Sequence, residues 1–238
     1  MAFRYSPKIV TDGLIFAVDA ANKKSYPGSG TTITDIGGRE NTGTLTNGPT
    51  FASGDGGSIA FDDTNDYITF GNTSTLNFEW NDPHSIEVWL KRSNSGSSYI
   101  VGKNESSGNY RGTEFTFSGA DAVQYLLRNT NSASNRIFSR TTYTYNDGLW
   151  HQFVVTYDGS GNASGIGIYA DTVSDVNAID NGNITGGITS TAKAVIGARN
   201  GSANYFGGNI ASVKYYNKVL SASEITQNYE AQKSRYIN

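Results

Sequence analysis

The densest group of oxygen ligands in the chain is the set Asp62, Asp63, Asn65 and Asp66. Carboxylate and amide oxygens crowded into one short turn suit a hard cation such as calcium. Their spacing is not that of a helix–loop–helix calcium loop, which needs a central Gly and a closing Glu. Turn formation alone also selects Asp and Asn, so calcium ligands and turn formers both fit these residues. A different chemistry, recognition of a sugar or a protein, calls for rigid aromatics and planar hydrogen-bonding groups on loops. Two segments supply them: 104–112, with Tyr110 and Arg111, and 199–208, with Asn200, Asn204 and Tyr205.

Catalysis finds less to work with. Cleavage of a glycosidic bond uses a pair of carboxyls roughly 5–10 Å apart. Glu87 shares a strand face with Trp89, but positions i+2 and i+4 hold Trp89 and Lys91 rather than a second acid. Packing is its expected role. His151 lies in an apolar run with Trp150 and Phe153 and reads as a hydrogen-bonded structural imidazole; His84, in Asn-Asp-Pro-His, reads as a loop residue. The chain has no cysteine, which removes thiol nucleophiles, thiolate metal sites and disulfides. The expectation is a protein that is not an enzyme. A net charge of −3 leaves no basic excess to neutralise phosphates, so no nucleic-acid partner is expected.

The elements that must position these residues read as strands. Only 16% of the 238 residues are charged, Gly numbers 28, and Tyr and Phe are plentiful, a balance that favours strands joined by tight turns. Residues 8–21 mimic an export signal, but Asp12 and Asp19 interrupt the apolar run, which is also far too short to span a bilayer. A first strand is expected there. Strands joined by a polar turn are expected over 57–70. Over 85–91, Ile86, Val88 and Leu90 form an apolar face opposite a mixed one, and 149–157 is apolar on both parities, as in the deepest strand of a sheet. In 165–170, Gly165 and Gly167 alternate with Ile166 and Ile168, as in a strand under another backbone. The spacing of Ile210, Val213 and Tyr215 predicts a bulge. Ser221 and Glu224 form a capping box, with Leu220 and Ile225 as its hydrophobic staple and Tyr229 continuing the face, so a helix over about 221–232 is expected to pin the chain end.

In chain order, DGLIFAVDAANKKSYPGSGT (12–31), GSIAFDDTNDYITF (57–70), SIEVWLK (85–91), GLWHQFVVTYDG (148–159) and YFGGNIASVKYYNKVLSASEI (205–225) resemble the laminin-G/concanavalin A-like lectin/glucanase family. The resemblance implies an all-β, two-sheet antiparallel jelly-roll sandwich with a short C-terminal helix. It divides the chain into an N-terminal arm, 1–11, and a single domain, 12–238. Ligands of that family bind on a sheet face or at the loop rim, some with calcium near Asp-rich loops. Here Asn209 and Ala211 stand where relatives carry acids, which leaves fewer carboxylates for a metal. The opening 31 residues resemble, more narrowly, virion structural proteins of tailed marine and cyanobacterial bacteriophages. That narrower likeness implies a capsid-decoration, head-fibre or tail-associated protein at the virion surface, with other virion proteins and host-surface polysaccharide as partners and no membrane span. A free lectin, calcium-dependent or not, is the alternative, and a glycoside hydrolase or lyase the third.

Overall fold

The computed structural model describes residues 7–178 and 182–237. Among these residues the strands are β1 (Leu14–Asp19), β2 (Thr32–Thr34), β3 (Thr42–Thr46), β4 (Thr50–Ala52), β5 (Ser58–Asp62), β6 (Tyr67–Thr69), β7 (His84–Arg92), β8 (Ser98–Asn104) and β9 (Gly112–Phe117). They continue as β10 (Ala122–Arg128), β11 (Arg136–Thr144), β12 (Trp150–Tyr157), β13 (Ile166–Ala170), β14 (Val173–Ser174), β15 (Asn177–Ala178), β16 (Ala194–Ile196) and β17 (Gly207–Tyr216); the helix α1 spans Ala222–Gln232. Two antiparallel sheets result. The eight-stranded sheet runs β14-β13-β12-β7-β17-β5-β4, with β1 also paired to β17; the nine-stranded sheet runs β15-β11-β10-β9-β8-β16-β6-β3-β2. This is a concanavalin A-like sandwich.

Alternation decides which side chains lie between the sheets. From the eight-stranded sheet come Ile86, Val88 and Leu90 of β7, Phe153, Val155 and Tyr157 of β12, and Val213 and Tyr215 of β17; from the nine-stranded sheet come Phe115 and Phe117 of β9 and Val123, Tyr125 and Leu127 of β10. Each such side chain contributes about 1.5–3 kcal/mol of transfer free energy. One polar contact crosses this apolar layer, where His84 Nε2 and Tyr125 Oη lie 2.5 Å apart. The ring of His84 also stacks on Phe78, at 4.2 Å between centroids.

Several expectations hold and several need correction. The bulge in β17 falls between Ile210 and Ser212, and Ser221 and Glu224 form the complete capping box. The strands β5 and β6 do flank an Asp/Asn turn, yet they belong to different sheets, so residues 63–66 carry the chain round the edge of the sandwich. His84 is no loop residue: it is the first residue of β7 and fully buried, because the preceding Pro83 ends the turn and its imidazole finds partners inside the core. Burial drives its pKa down from 6.5 to about 4, against the pull of the Asp82 carbonyl on Nδ1. Strands β7 and β12 are each buried at every position but one, Lys91 in β7 and His151 in β12, so the expectation of a strand covered on both faces holds for Trp150–Tyr157. Gly167 lies against the side chain of Thr156 on the neighbouring strand rather than under a backbone.

Candidate functional site

The outer face of the eight-stranded sheet is closed. Helix α1 and the turn after it lie over β7 and β17, so the mixed face of 85–91 is buried except at Lys91. Trp89 stacks against Tyr229 at 5.5 Å and Tyr236 at 4.6 Å. Glu87, wholly buried, pairs with Lys214 at 2.8 Å and accepts a hydrogen bond from Asn228 Nδ2 at 2.6 Å. Lys214 also donates to Gln232 Oε1 at 2.8 Å, and Asn228 Oδ1 accepts from the Val10 N–H at 2.7 Å. Thus every charge under the helix is answered, as a buried ion pair requires. The last contact also attaches residue 10 to the domain; residues 1–6 of the expected arm lie outside the described residues.

Over β8, β9 and β10 of the nine-stranded sheet no α-helix lies among the described residues; the loops that carry Tyr110 and Arg199 border that face instead. Since Phe115, Phe117, Val123, Tyr125 and Leu127 face the core, the alternate residues Glu114, Thr116, Gln124 and Arg128 stand on its outer face. Glu114 is only 8% exposed; Asn104 Nδ2 donates to its Oε1 at 3.3 Å and the Arg128 guanidinium lies 3.7 Å away. Burial raises the pKa of this carboxyl, opposed by the charges of Arg128 and Arg199.

Arg199 comes from the second of the two recognition loops. Asn200 and Gly201 both have positive φ, 56° and 71°, and the Ser202 N–H bonds back to the Arg199 carbonyl at 3.1 Å: a type I′ turn, the geometry that an Asn-Gly pair favours. The loop is tied to the sheet where the Asn204 carbonyl accepts from the Tyr99 N–H at 2.8 Å. This brings the two loops together. The Arg199 guanidinium sits over the Tyr110 ring at 5.3 Å and that of Arg128 at 5.8 Å from the same ring. Tyr205, in contrast, donates its hydroxyl to Gly201 at 3.4 Å and closes its own loop.

Two open grooves flank this contact. One, of about 240 Å³, is lined by Ser98, Glu114, Ser118, Gln124, Arg199 and Asn204, among others. The hydroxyls of Ser98 and Ser118 are buried there without a hydrogen-bond partner among the described residues. The other, of about 510 Å³, lies between Glu105 and Lys193 and takes in Asn200. The Asn200 Nδ2 and the Arg111 Nε are also buried without a partner among the described residues. Arg199 was not singled out from sequence, although the Asn-Gly pair that follows it marks the turn that presents it.

The Asp-rich turn is built for its own backbone. Asp62 Oδ1 accepts from the N–H groups of Thr64 at 2.9 Å and Asn65 at 3.2 Å, which hold this carboxyl below the ordinary value, the Thr64 bond most strongly. Asp66 turns inward to accept from the Asp62 N–H at 3.2 Å, and burial, aided by the Asp62 charge, raises its pKa. Asp63 Oδ1 accepts from Asn94 Nδ2 at 2.7 Å, while Asn65 uses its carbonyl to hold Asn47. Among the described residues no group of three or more acidic or His side chains converges on a point where a metal ion could sit. The expected calcium ligands do not fit such a site, because turn closure has aimed the carboxylates at N–H donors.

His151 is hydrogen-bonded as expected, with Nδ1 2.6 Å from Asp171 and Nε2 3.2 Å from Asp147. Burial works against its charge, but the two carboxylates outweigh it and the pKa is raised. Among the described residues no hydroxyl is hydrogen-bonded to either ring nitrogen.

The model of the concanavalin A-like lectin/glucanases superfamily, in its laminin-G branch, matches residues 62–226. The chain belongs to this superfamily. A comparison with curated protein sequences finds no match. Among solved structures, the lectin-like sandwich is similar to the botulinum neurotoxin serotype G binding domain, with a TM-score of 0.68 at 17% identity over 93% of this chain and 51% of the other. It is also similar to the binding domain of Paraclostridial mosquitocidal protein 1, with a TM-score of 0.63 at 15% identity over 92% of this chain and 52% of the other. A third likeness is to a Trypanosoma rangeli sialidase solved with sialic acid, with a TM-score of 0.67 at 13% identity over 99% of this chain and 37% of the other. The chain thus spans about half the length of the two binding domains and less of the sialidase; the likeness is one of fold.

Proposed function

We propose that this superfamily member is a non-catalytic carbohydrate-binding domain whose open sheet face holds the sugar. The observation that carries the proposal is the groove beside Arg199, where hydroxyl, amide and charged groups of Thr116, Gln124, Arg199 and Asn204 line one opening. Glycosidic hydrolysis needs a second acid, and Glu114 is the single carboxylate lining that groove. Glu87, the strand acid beside an aromatic, is sealed under α1. Two of the similar structures are binding domains, which agrees with such a role.

The setting we propose is the surface of a phage particle, as a capsid-decoration, head-fibre or tail-associated protein that presents the groove to host-surface polysaccharide while another surface holds other virion proteins. The opening segment's likeness to tailed-phage virion proteins supports this, as does a fold stabilised without disulfides, which suits assembly in a reducing cytoplasm. A glycan array probed with the intact chain, with and without a chelator, tests the binding. Loss of every signal on mutating Thr116 and Gln124 is expected, with no effect of chelator; absence of binding to any glycan overturns the proposal. Mass spectrometry of purified particles tests the setting, and absence from them favours a free lectin.

A further inference from the structure

Resting on that assignment of the groove, we infer that its ligand is an anionic sugar, one whose ring carries a carboxylate, and that Arg199 is the residue that receives the carboxylate. Three observations carry this. The guanidinium of Arg199 lines the groove, yet among the described residues no acceptor hydrogen-bonds to it and no carboxylate pairs with it. Such a group ordinarily finds an acceptor, because its five donors are arranged in a planar fork. Its position is fixed in advance, since the guanidinium rests on the Tyr110 ring and its backbone is set by the type I′ turn and the Asn204–Tyr99 bond. A stacked, immobilised fork facing a groove is suited to a planar carboxylate, which it meets with two parallel hydrogen bonds.

The surroundings match a sugar acid better than a free anion. Thr116 and Gln124, which stand on the outer face and line the groove, supply a hydroxyl and an amide for ring hydroxyls. Glu114, on the same groove wall, accepts such hydroxyls as donors, while Arg128, already 3.7 Å from it, keeps that carboxylate from repelling the incoming one. Arg128 is thus the ion-pair partner of Glu114; Arg199, whose charge also acts on Glu114, makes no hydrogen bond to it and keeps its fork for the ligand. A neutral sugar would leave the Arg199 fork unanswered once water is displaced.

Isothermal titration calorimetry with the intact chain tests the inference, using oligogalacturonate, oligomannuronate and hyaluronan oligosaccharides, each beside its methyl ester. The ester removes charge and leaves the ring hydroxyls. Binding of at least one acid form about tenfold or more tighter than its ester is expected, since one charge-assisted bidentate contact is at stake. Arg199→Gln should erase that preference with the thermal midpoint unchanged. Arg199→Lys, which keeps charge and loses the fork, should recover little of it. Lys193→Gln, which removes an equal charge from the neighbouring groove, should keep it. Equal binding of acid and ester, or equal loss in the Lys193 and Arg199 variants, overturns the carboxylate assignment while leaving a sugar-binding face. So does a preference for dextran sulfate over every carboxylated chain. No binding to any acidic or neutral oligosaccharide overturns the proposed function itself.

Discussion

The two outer faces of the sandwich carry the same charge pattern and put it to different use. On the eight-stranded sheet Glu87 meets Lys214 at 2.8 Å beneath a helix; on the nine-stranded sheet Glu114, also buried, meets Arg128 at 3.7 Å beside a groove. Beneath the helix both charges are answered, with Asn228 and Gln232 recruited to complete the set, although the Trp89 Nε1 and the Tyr236 hydroxyl have no partner among the described residues. On the other face the Arg199 guanidinium lies beside a groove without an acceptor among the described residues, and the proposed ligand rests on that difference. A carboxylate on a β-strand is therefore structural or functional according to what covers it.

The largest effect should come from breaking the covered pair. Lys214→Ala leaves Glu87 buried and unanswered and is expected to cost about 3–5 kcal/mol, measured by denaturant unfolding. Adding Glu87→Leu to that variant should recover part of the loss, since it removes the stranded charge. A loss below about 1 kcal/mol for Lys214→Ala would mean that the covered face is wetter than its contacts indicate.

Acid should come next, by acting on neither face but on the tie between the sheets. His84 has a folded pKa of about 4 against 6.5 when unfolded, so the unfolded chain takes up a proton that the native state refuses. Stability is thus complete above pH 6.5 and falls by about 3 kcal/mol as pH drops toward 4. His151 runs the other way: with its pKa raised, it lends stability at low pH that is lost as pH rises through the folded value. Unfolding free energies across pH 4–7 for the His84→Gln chain should lose the acid-side fall and reveal the shallower opposite slope.

Ser221→Ala removes the cap that seats α1 and should cost about 1 kcal/mol by thermal unfolding. Smallest of all in stability should be Arg199→Gln on the open face, within about 0.5 kcal/mol of the parent, because the side chain gives up no hydrogen bond made within the described residues. A large loss there would make Arg199 a structural residue and erase the contrast between the faces.

Strand content, the β17 bulge, the capped helix and the sandwich itself were legible along the chain, because alternation, turn chemistry and the capping box are local patterns that burial reinforces. The pairing of the two recognition loops was half legible: Tyr110 and Asn200 marked them, but the contact between Tyr110 and Arg199 joins residues 89 positions apart. The Asp-rich turn was ambiguous because the same oxygens can face a cation or a backbone N–H, and only the folded turn chooses. His84 was misread for a related reason: a histidine after Pro looks like a loop until a phenol from the other sheet meets it.

By itself, then, the sequence determined that this chain folds as a lectin-type sandwich, without cysteine chemistry and without a strand-borne pair of catalytic acids, since these follow from residue type and spacing. Only the tertiary structure decided which carboxylate lies beneath the helix and which lies beside the groove. That choice belongs to where the helix lands: Glu87 and Glu114 are both buried strand acids with a basic partner, and what differs is the helix packed over one of them and the groove left beside the other.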